Sequence, residues 1–230
     1  MEQYNTVLKK CALFRSIDET DIGHLLKCLD AQVKSYEAEE YIFLSGDVIN
    51  YVGIVLTGLV EIMKENLAGN KHIVAFLGPS NLFAEGIVCT AKRIAPVTVR
   101  VKEAAKVLFI PYERIIKSCG NSCNFHIELI QNMMLVLGER NVNLNRKLEL
   151  LTLKRMREKI ASYLINEAIE QGSNTFQILL NRTELADYLN VSRTSMCREL
   201  ARMKDEGMID FYGHSFRILD KQGLGECLEL

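Results

Sequence analysis

Residues 181–200 read NRTELADYLNVSRTSMCREL, and this stretch decides the architecture of the C-terminal part of the chain. Asn181 and Glu184 stand at the spacing of a helix N-cap and its N3 partner, a pair that satisfies two otherwise orphaned backbone N–H groups. Leu185 and Leu189 lie four apart and share one face of that helix. Ala186 is small, where a second helix must approach closely. Asn190 suits the corner between two helices, because Asn tolerates a left-handed backbone. Ser192 can cap the next helix, whose apolar stripe is Met196, Leu200 and Met203. Together these residues predict a helix–turn–helix, a unit whose second helix fits a DNA major groove.

The outward residues of that second helix carry the chemistry. Between 191 and 204 stand Arg193, Arg198, Arg202 and Lys204 against the single acid Glu199. Arg can bond a guanine edge through two hydrogen bonds, and Ser or Thr can bond bases or phosphate. The helix N-terminus itself favours a phosphate. Arg182 opens the preceding helix, placed to touch the DNA backbone. Residues 207–218, GMIDFYGHSFRI, read as two apolar strands around a Gly turn, which adds a wing with Tyr212 and His214 at its tip. The expected DNA contacts are therefore Arg182, Ser192, Arg193, Thr194, Ser195, Arg198, Arg202, Tyr212 and His214. A ligand-sensing module whose winged domain binds a protein is the alternative, left open by the acidic pair Asp205-Glu206.

Upstream, about Cys123 to Leu151 repeats apolar residues in a 3-4 alternation: Ile127, Ile130, Met134, Leu137, Leu144, Leu148 and Leu151, broken only by Asn141. A heptad sustained this long is a coiled-coil seam. A lone polar Asn in such a seam favours an in-register parallel pair. The spacing thus predicts a long dimerisation helix with Ile127, Ile130, Met134, Leu137, Asn141, Leu144 and Leu148 in the interface. Its other face is free to pack on the chain's own core. An amphipathic helix over Lys154–Glu170 follows, with Ile160, Tyr163, Leu164 and Ala168 inward.

The first 118 residues open on a short helix with Ile22, Leu25, Leu26 and Leu29 at helical spacing. Short β runs follow at Tyr41–Leu44, Val52–Leu56, Leu59–Met63, Lys71–Leu77, Val97–Val101 and Lys106–Ile110. Turn signals divide them at Ser45-Gly46-Asp47, Ala68-Gly69-Asn70 and Gly78-Pro79-Ser80. That spacing suggests a sandwich or barrel. The expected fold class is α+β, in three parts: a β-roll over 1–118, a dimerisation helix over 119–151 and a winged helix–turn–helix over 152–230.

Composition bounds the function. The chain has 230 residues, with 28 Lys and Arg against 29 Asp and Glu, a formal net charge of −1. That balance argues against coating nucleic acid through bulk charge, yet leaves room for a local basic face. The longest apolar run, Tyr51–Val60, is about half of what a membrane-spanning helix needs. The N-terminus MEQYNTVLKK lacks the pattern of a signal peptide. The seven Cys are scattered and read as reduced thiols of a cytoplasmic protein. Cys119 and Cys123 form the one close pair, too few for a zinc site. No nucleophile elbow, metalloprotease helix or phosphate-binding Gly loop is present, so neither an enzyme nor a metal site is expected.

In the order of its parts, the chain resembles the Crp/Fnr superfamily of bacterial transcription regulators over nearly all of its length. Leu13–Ile17, Tyr41–Asp47 and Gly53–Val60 resemble the start of the family's β-roll, and Val191–Leu200 resembles its recognition helix. The resemblance implies a homodimer on a palindromic site in double-stranded DNA, with a small effector in the β-roll and RNA polymerase as a further partner. Thr194 departs from the pattern, because many members carry Glu there. Nucleotide-binding members hold ribose and phosphate with a Gly-Glu pair and a later Arg followed by Ser or Thr. Here Ala84 precedes Glu85, and Ala95-Pro96 stands where that Arg pair would fall, with Arg93 two residues early. Leu144 and Asn145 fall where such members present hydroxyls to the base. The resemblance thus points to Glu85, Arg93 and Asn145 around an unknown small-molecule effector other than cyclic AMP. The four His and the Cys11/Cys28 pair do not match the family's haem or iron–sulfur patterns.

Overall fold

The computed structural model describes residues 2–65, 71–117 and 124–228, and the chain divides into two compact units, Met1–Arg140 and Asn141–Leu230. In the first unit, α1 (Asn5–Lys9) and α2 (Glu19–Cys28) precede the strands. Ile22, Leu25 and Leu26 of α2 are buried as their spacing requires. The strands are β1 (Gln32–Tyr36), β2 (Tyr41–Phe43), β3 (Tyr51–Glu65), β4 (Lys71–Leu77) and β5 (Leu82–Phe83). After the short α3 (Glu85–Val88) comes β6 (Thr98–Pro111), then α4 (Tyr112–Ile116). All pairings are antiparallel, in the order β1-β6-β3-β4, with β2 also on β6 and β5 on β3.

Four short runs expected as separate strands are two long ones. Val52–Leu56 and Leu59–Met63 join as β3, and Val97–Val101 and Lys106–Ile110 join as β6. The pair keeps bonding through register shifts at Thr57–Val60, so the bulge bends the ladder without ending it. Gly58 permits the bend: its φ is +80°, and a Cβ there would lie 2.3 Å from the Ala104 carbonyl oxygen. β1 was not expected, because its side chains are mostly polar and exposed. Val52, Ile54, Leu56, Val60, Val101, Val107, Leu108 and Ile110 fill the core beneath α2. The Ala68–Asn70 turn and the Cys119/Cys123 pair lie outside the described residues.

The long helix, α5 (Asn124–Thr152), crosses from one unit into the other. In the first unit Leu129, Met133 and Val136 bury against the core. Asn132 donates to the carbonyls of Leu13 (3.1 Å) and Arg15 (2.7 Å). In the second unit Leu150 joins a separate core. That unit adds α6 (Met156–Glu170), β7 (Thr175–Gln177), α7 (Arg182–Leu189), α8 (Arg193–Asp205), β8 (Ile209–Tyr212), β9 (Ser215–Ile218) and α9 (Lys221–Glu226). β7 is a third strand beside the expected hairpin, giving the order β7-β9-β8. Phe176 of β7 stacks on Phe216 of β9 at 6.3 Å.

Candidate nucleic-acid interface and effector region

The helix–turn–helix forms, and its first helix is capped as the sequence predicts. The Asn181 side chain accepts from the backbone N–H of Thr183 (2.9 Å) and Glu184 (3.0 Å), and Glu184 accepts from Asn181 N–H (2.8 Å). Asn190 ends α7 in the left-handed region at φ 51°. Ser192 occupies the N-cap position of α8, but its hydroxyl makes no capping bond. Capping is thus not what engages it. Met196, Leu200 and Met203 are buried, which turns Arg198 outward, nearly opposite that stripe. Ser192, Arg193, Thr194, Arg198 and Arg202 are exposed and Ser195 is half-buried. Arg193 and Arg198 have no hydrogen-bond or ion-pair partner among the described residues.

Three cations that sequence reasoning did not place hold this helix pair. Arg157 of α6 donates from Nε to Glu199 (2.6 Å) and grips both oxygens of Glu206 (2.6 and 2.9 Å). The one acid within the basic stretch of α8 is thereby neutralised from behind, and the outward face stays positive. The guanidinium beside Glu206 holds that carboxyl below its ordinary range. Lys159 is buried and donates to the Leu189 carbonyl at 3.2 Å. Lys147 donates to the Tyr188 carbonyl and lies 3.8 Å from the Tyr188 ring centre. Both ammonium groups meet the C-terminal carbonyls of α7, where the helix dipole favours cations. Burial and the neighbouring Lys159 push Lys147 down from its ordinary range.

Arg182 has a different setting from the one expected. Its guanidinium lies over the rings of Phe211 (5.1 Å) and Phe216 (4.7 Å) and donates to the Gly213 carbonyl (3.0 Å). It braces the wing against α7, and burial lowers its pKa. Tyr212 is 90% exposed at the wing tip. His214 is exposed with its Nδ1 held 3.2 Å from the Ile178 carbonyl.

In the first unit Ala84 takes φ 66°, a left-handed conformation that suits Gly. It starts α3 and turns Glu85 inward. Glu85 is fully buried, and Arg140 of α5 forms an ion pair with it while lying 3.4 Å from the Leu82 carbonyl. Burial lowers the pKa of Arg140. The expected grouping of Glu85 with Arg93 and Asn145 does not form within either unit. Arg93 sits 4.9 Å over the Tyr112 ring and donates to Asn50 (3.0 Å). Asn145 belongs to the second unit, 3.5 Å from Asn141. Ala95 is buried, with its N–H on the Asp47 carbonyl at 2.8 Å. The signal for Arg140 was its place one turn before Leu144.

Comparison with known proteins decides the family. The cyclic nucleotide-binding domain matches residues 33–121 and the Crp-like helix-turn-helix domain matches residues 158–227. The transcriptional activator protein FnrA of Stutzerimonas stutzeri is 26% identical over 80% of this chain and 75% of its own length. The cyclic AMP receptor protein of Thermus thermophilus is 27% identical over 88% of this chain and 89% of its own. The crystal structure of the Thermus thermophilus catabolite activator protein shares the fold at a TM-score of 0.54 and 22% identity, covering 95% of this chain and 98% of that one. The chain belongs to the Crp/Fnr family of transcription regulators.

Two further features of this Crp/Fnr regulator bear on assembly and cofactors. On α5, Ile127, Met134, Leu144 and Leu148 are 59–68% exposed, while Ile130 and Leu137 are half-buried and Asn141 is exposed. An apolar seam so open is unusual for a side chain row that stays in water. Burial pushes the Cys11 thiol up to about 11, the reverse of what a ligating or redox-active thiolate needs. Among the described residues no group of three or more His, Cys, Asp or Glu is placed to hold a metal, and no helix is long and apolar enough to cross a membrane.

Proposed function

We propose that this regulator is a homodimer, paired along α5, that reads a palindromic DNA site with α8 in the major groove. Arg193 and Arg198 meet bases or phosphates, helped by Ser192, Thr194 and Ser195. Arg202, Tyr212 and His214 lie along the backbone, with Arg182 contributing through the wing that it holds. The observation that carries this reading is the pair of unpartnered, exposed guanidinium groups of Arg193 and Arg198, left facing outward while Glu199 is bound by Arg157.

The effector is a small molecule of the β-roll other than cyclic AMP. The absence of a basic side chain at Ala95 and the engagement of Arg93 with Asn50 and Tyr112 support this, because a buried phosphate needs a cationic partner. Glu85 and Arg140 are the polar groups that an effector would meet. Fluorescence anisotropy against a library of duplexes tests DNA reading. Specific binding should weaken as salt rises, and Arg198→Ala should cost about 1–3 kcal/mol at one base position. Equal binding by the variant would refute the assignment of α8. Calorimetry with cyclic AMP tests the effector: binding at one site per chain would overturn that part.

A further inference from the structure

We propose that the second unit carries its own small-molecule site, separate from the β-roll, for an α-amino acid with a bulky apolar side chain. The site is a cleft of about 450 Å³ among the last turns of α5, α6, β7 and α7. Its apolar side is made by Leu150, Tyr163, Leu180 and Tyr188. Leu150 and Tyr163 are buried, and the two tyrosine rings meet edge-on at 5.5 Å. Its charged side is the ion pair of Arg146 with Glu170, whose side chains remain 39% and 48% exposed. Sites of this size that combine an apolar lining with a few fixed polar groups are the usual form of a small-molecule pocket.

The charges choose the class of ligand. A simple carboxylate would gain Arg146 but meet Glu170 and Glu167. A simple amine would gain those acids but meet Arg146. An α-amino acid presents ammonium and carboxylate side by side, so its two ends can replace the Arg146–Glu170 contact with two ion pairs. The apolar side chain then covers the tyrosines. Asn166 and Gln177 line the same cleft and offer neutral donors and acceptors to either end. Tyr188 belongs to the first helix of the helix–turn–helix and Leu150 to α5, so an occupant ties these two helices together.

The test is calorimetry on the full-length protein without DNA, with L-leucine and L-phenylalanine as probes. One site per chain is expected for at least one of them. Arg146→Gln and Glu170→Gln should each weaken binding at least about tenfold, the scale of one lost charge-assisted contact. Isopentylamine and 4-methylpentanoate, which each keep one end of leucine, should bind as poorly. Circular dichroism melts establish that both variants fold. No heat from either amino acid at millimolar concentration would overturn the proposal. So would binding that both substitutions spare, since that puts the ligand elsewhere.

Discussion

Replacing Arg140 by Ala tests how the β-roll tolerates Glu85. The Glu85 side chain is fully buried, and its ion-pair partner among the described residues is Arg140, itself 52% exposed. Removing one member of a buried pair costs about 3–5 kcal/mol, because the remaining charge is left without compensation. Water can follow into the space of a half-exposed guanidinium, so we expect about 2–3 kcal/mol here. That is a large share of the roughly 5–15 kcal/mol by which a domain is stable. Urea unfolding followed by circular dichroism gives the value directly; the chain has no Trp to serve as a probe. The decisive arm is the double variant Arg140→Ala/Glu85→Gln. A neutral amide is far cheaper to bury than a carboxylate, so the second substitution should recover about half of the loss. Arg140→Ala as stable as the parent, or a double variant no better than the single one, would refute the claim that Arg140 compensates a buried charge.

Other outcomes follow from the same physics. Arg157→Ala should destabilise the second unit by about 1–2 kcal/mol in chemical denaturation, between the values for exposed and buried pairs, since Glu199 is 15% exposed and Glu206 43%. It should also weaken DNA binding at low salt, because it leaves Glu199 of α8 with Arg202, at 3.5 Å, as its ion-pair partner among the described residues; unchanged affinity would show that Arg202 suffices to neutralise it. Ala84→Gly should raise stability by a few tenths of a kcal/mol, relief of left-handed strain slightly exceeding the entropy added to the unfolded chain; a loss in thermal melts would mean that the buried methyl group matters more. For Cys11, the thiol pKa is raised in the folded protein from 9.0 to about 11. A raised folded value gives stability that is full below pH 9 and is lost as pH rises toward 11, by about 2–3 kcal/mol. Cys11→Ala should flatten the stability curve over that window, and a curve with the parent's slope would contradict the assignment.

What was legible in the sequence was what repeats or caps over short distances. The Asn181–Glu184 box, the Asn190 corner and the Met196–Leu200–Met203 stripe depend on partners within one or two helical turns, and all three form. The strand count failed where chemistry is cooperative: Thr57 and Gly58 look like a break, yet the ladder continues across them on β6. The charged supports were invisible for a similar reason. Arg157 and Glu199 stand 42 positions apart, and no local pattern links them. The resemblance pointed to Glu85 but not to the Arg140 that pairs with it, because Arg140 comes from a helix whose sequence is dominated by its apolar seam.

The residue before Glu85 carries that argument one step further. Ala at φ 66° costs about 1 kcal/mol that Gly would not, and strain of this kind persists where the surrounding structure over-determines it. Here the surroundings are a buried carboxylate and the guanidinium that meets it. Relaxing Ala84 to an ordinary backbone would swing Glu85 away from Arg140 and leave one charge uncompensated, at a cost of about 2–3 kcal/mol. The larger penalty holds the smaller one in place. On the proposed reading, an effector that offered Arg140 or Glu85 a better partner would remove the constraint on the turn as it bound, and α5, which carries Arg140, runs on into the second unit.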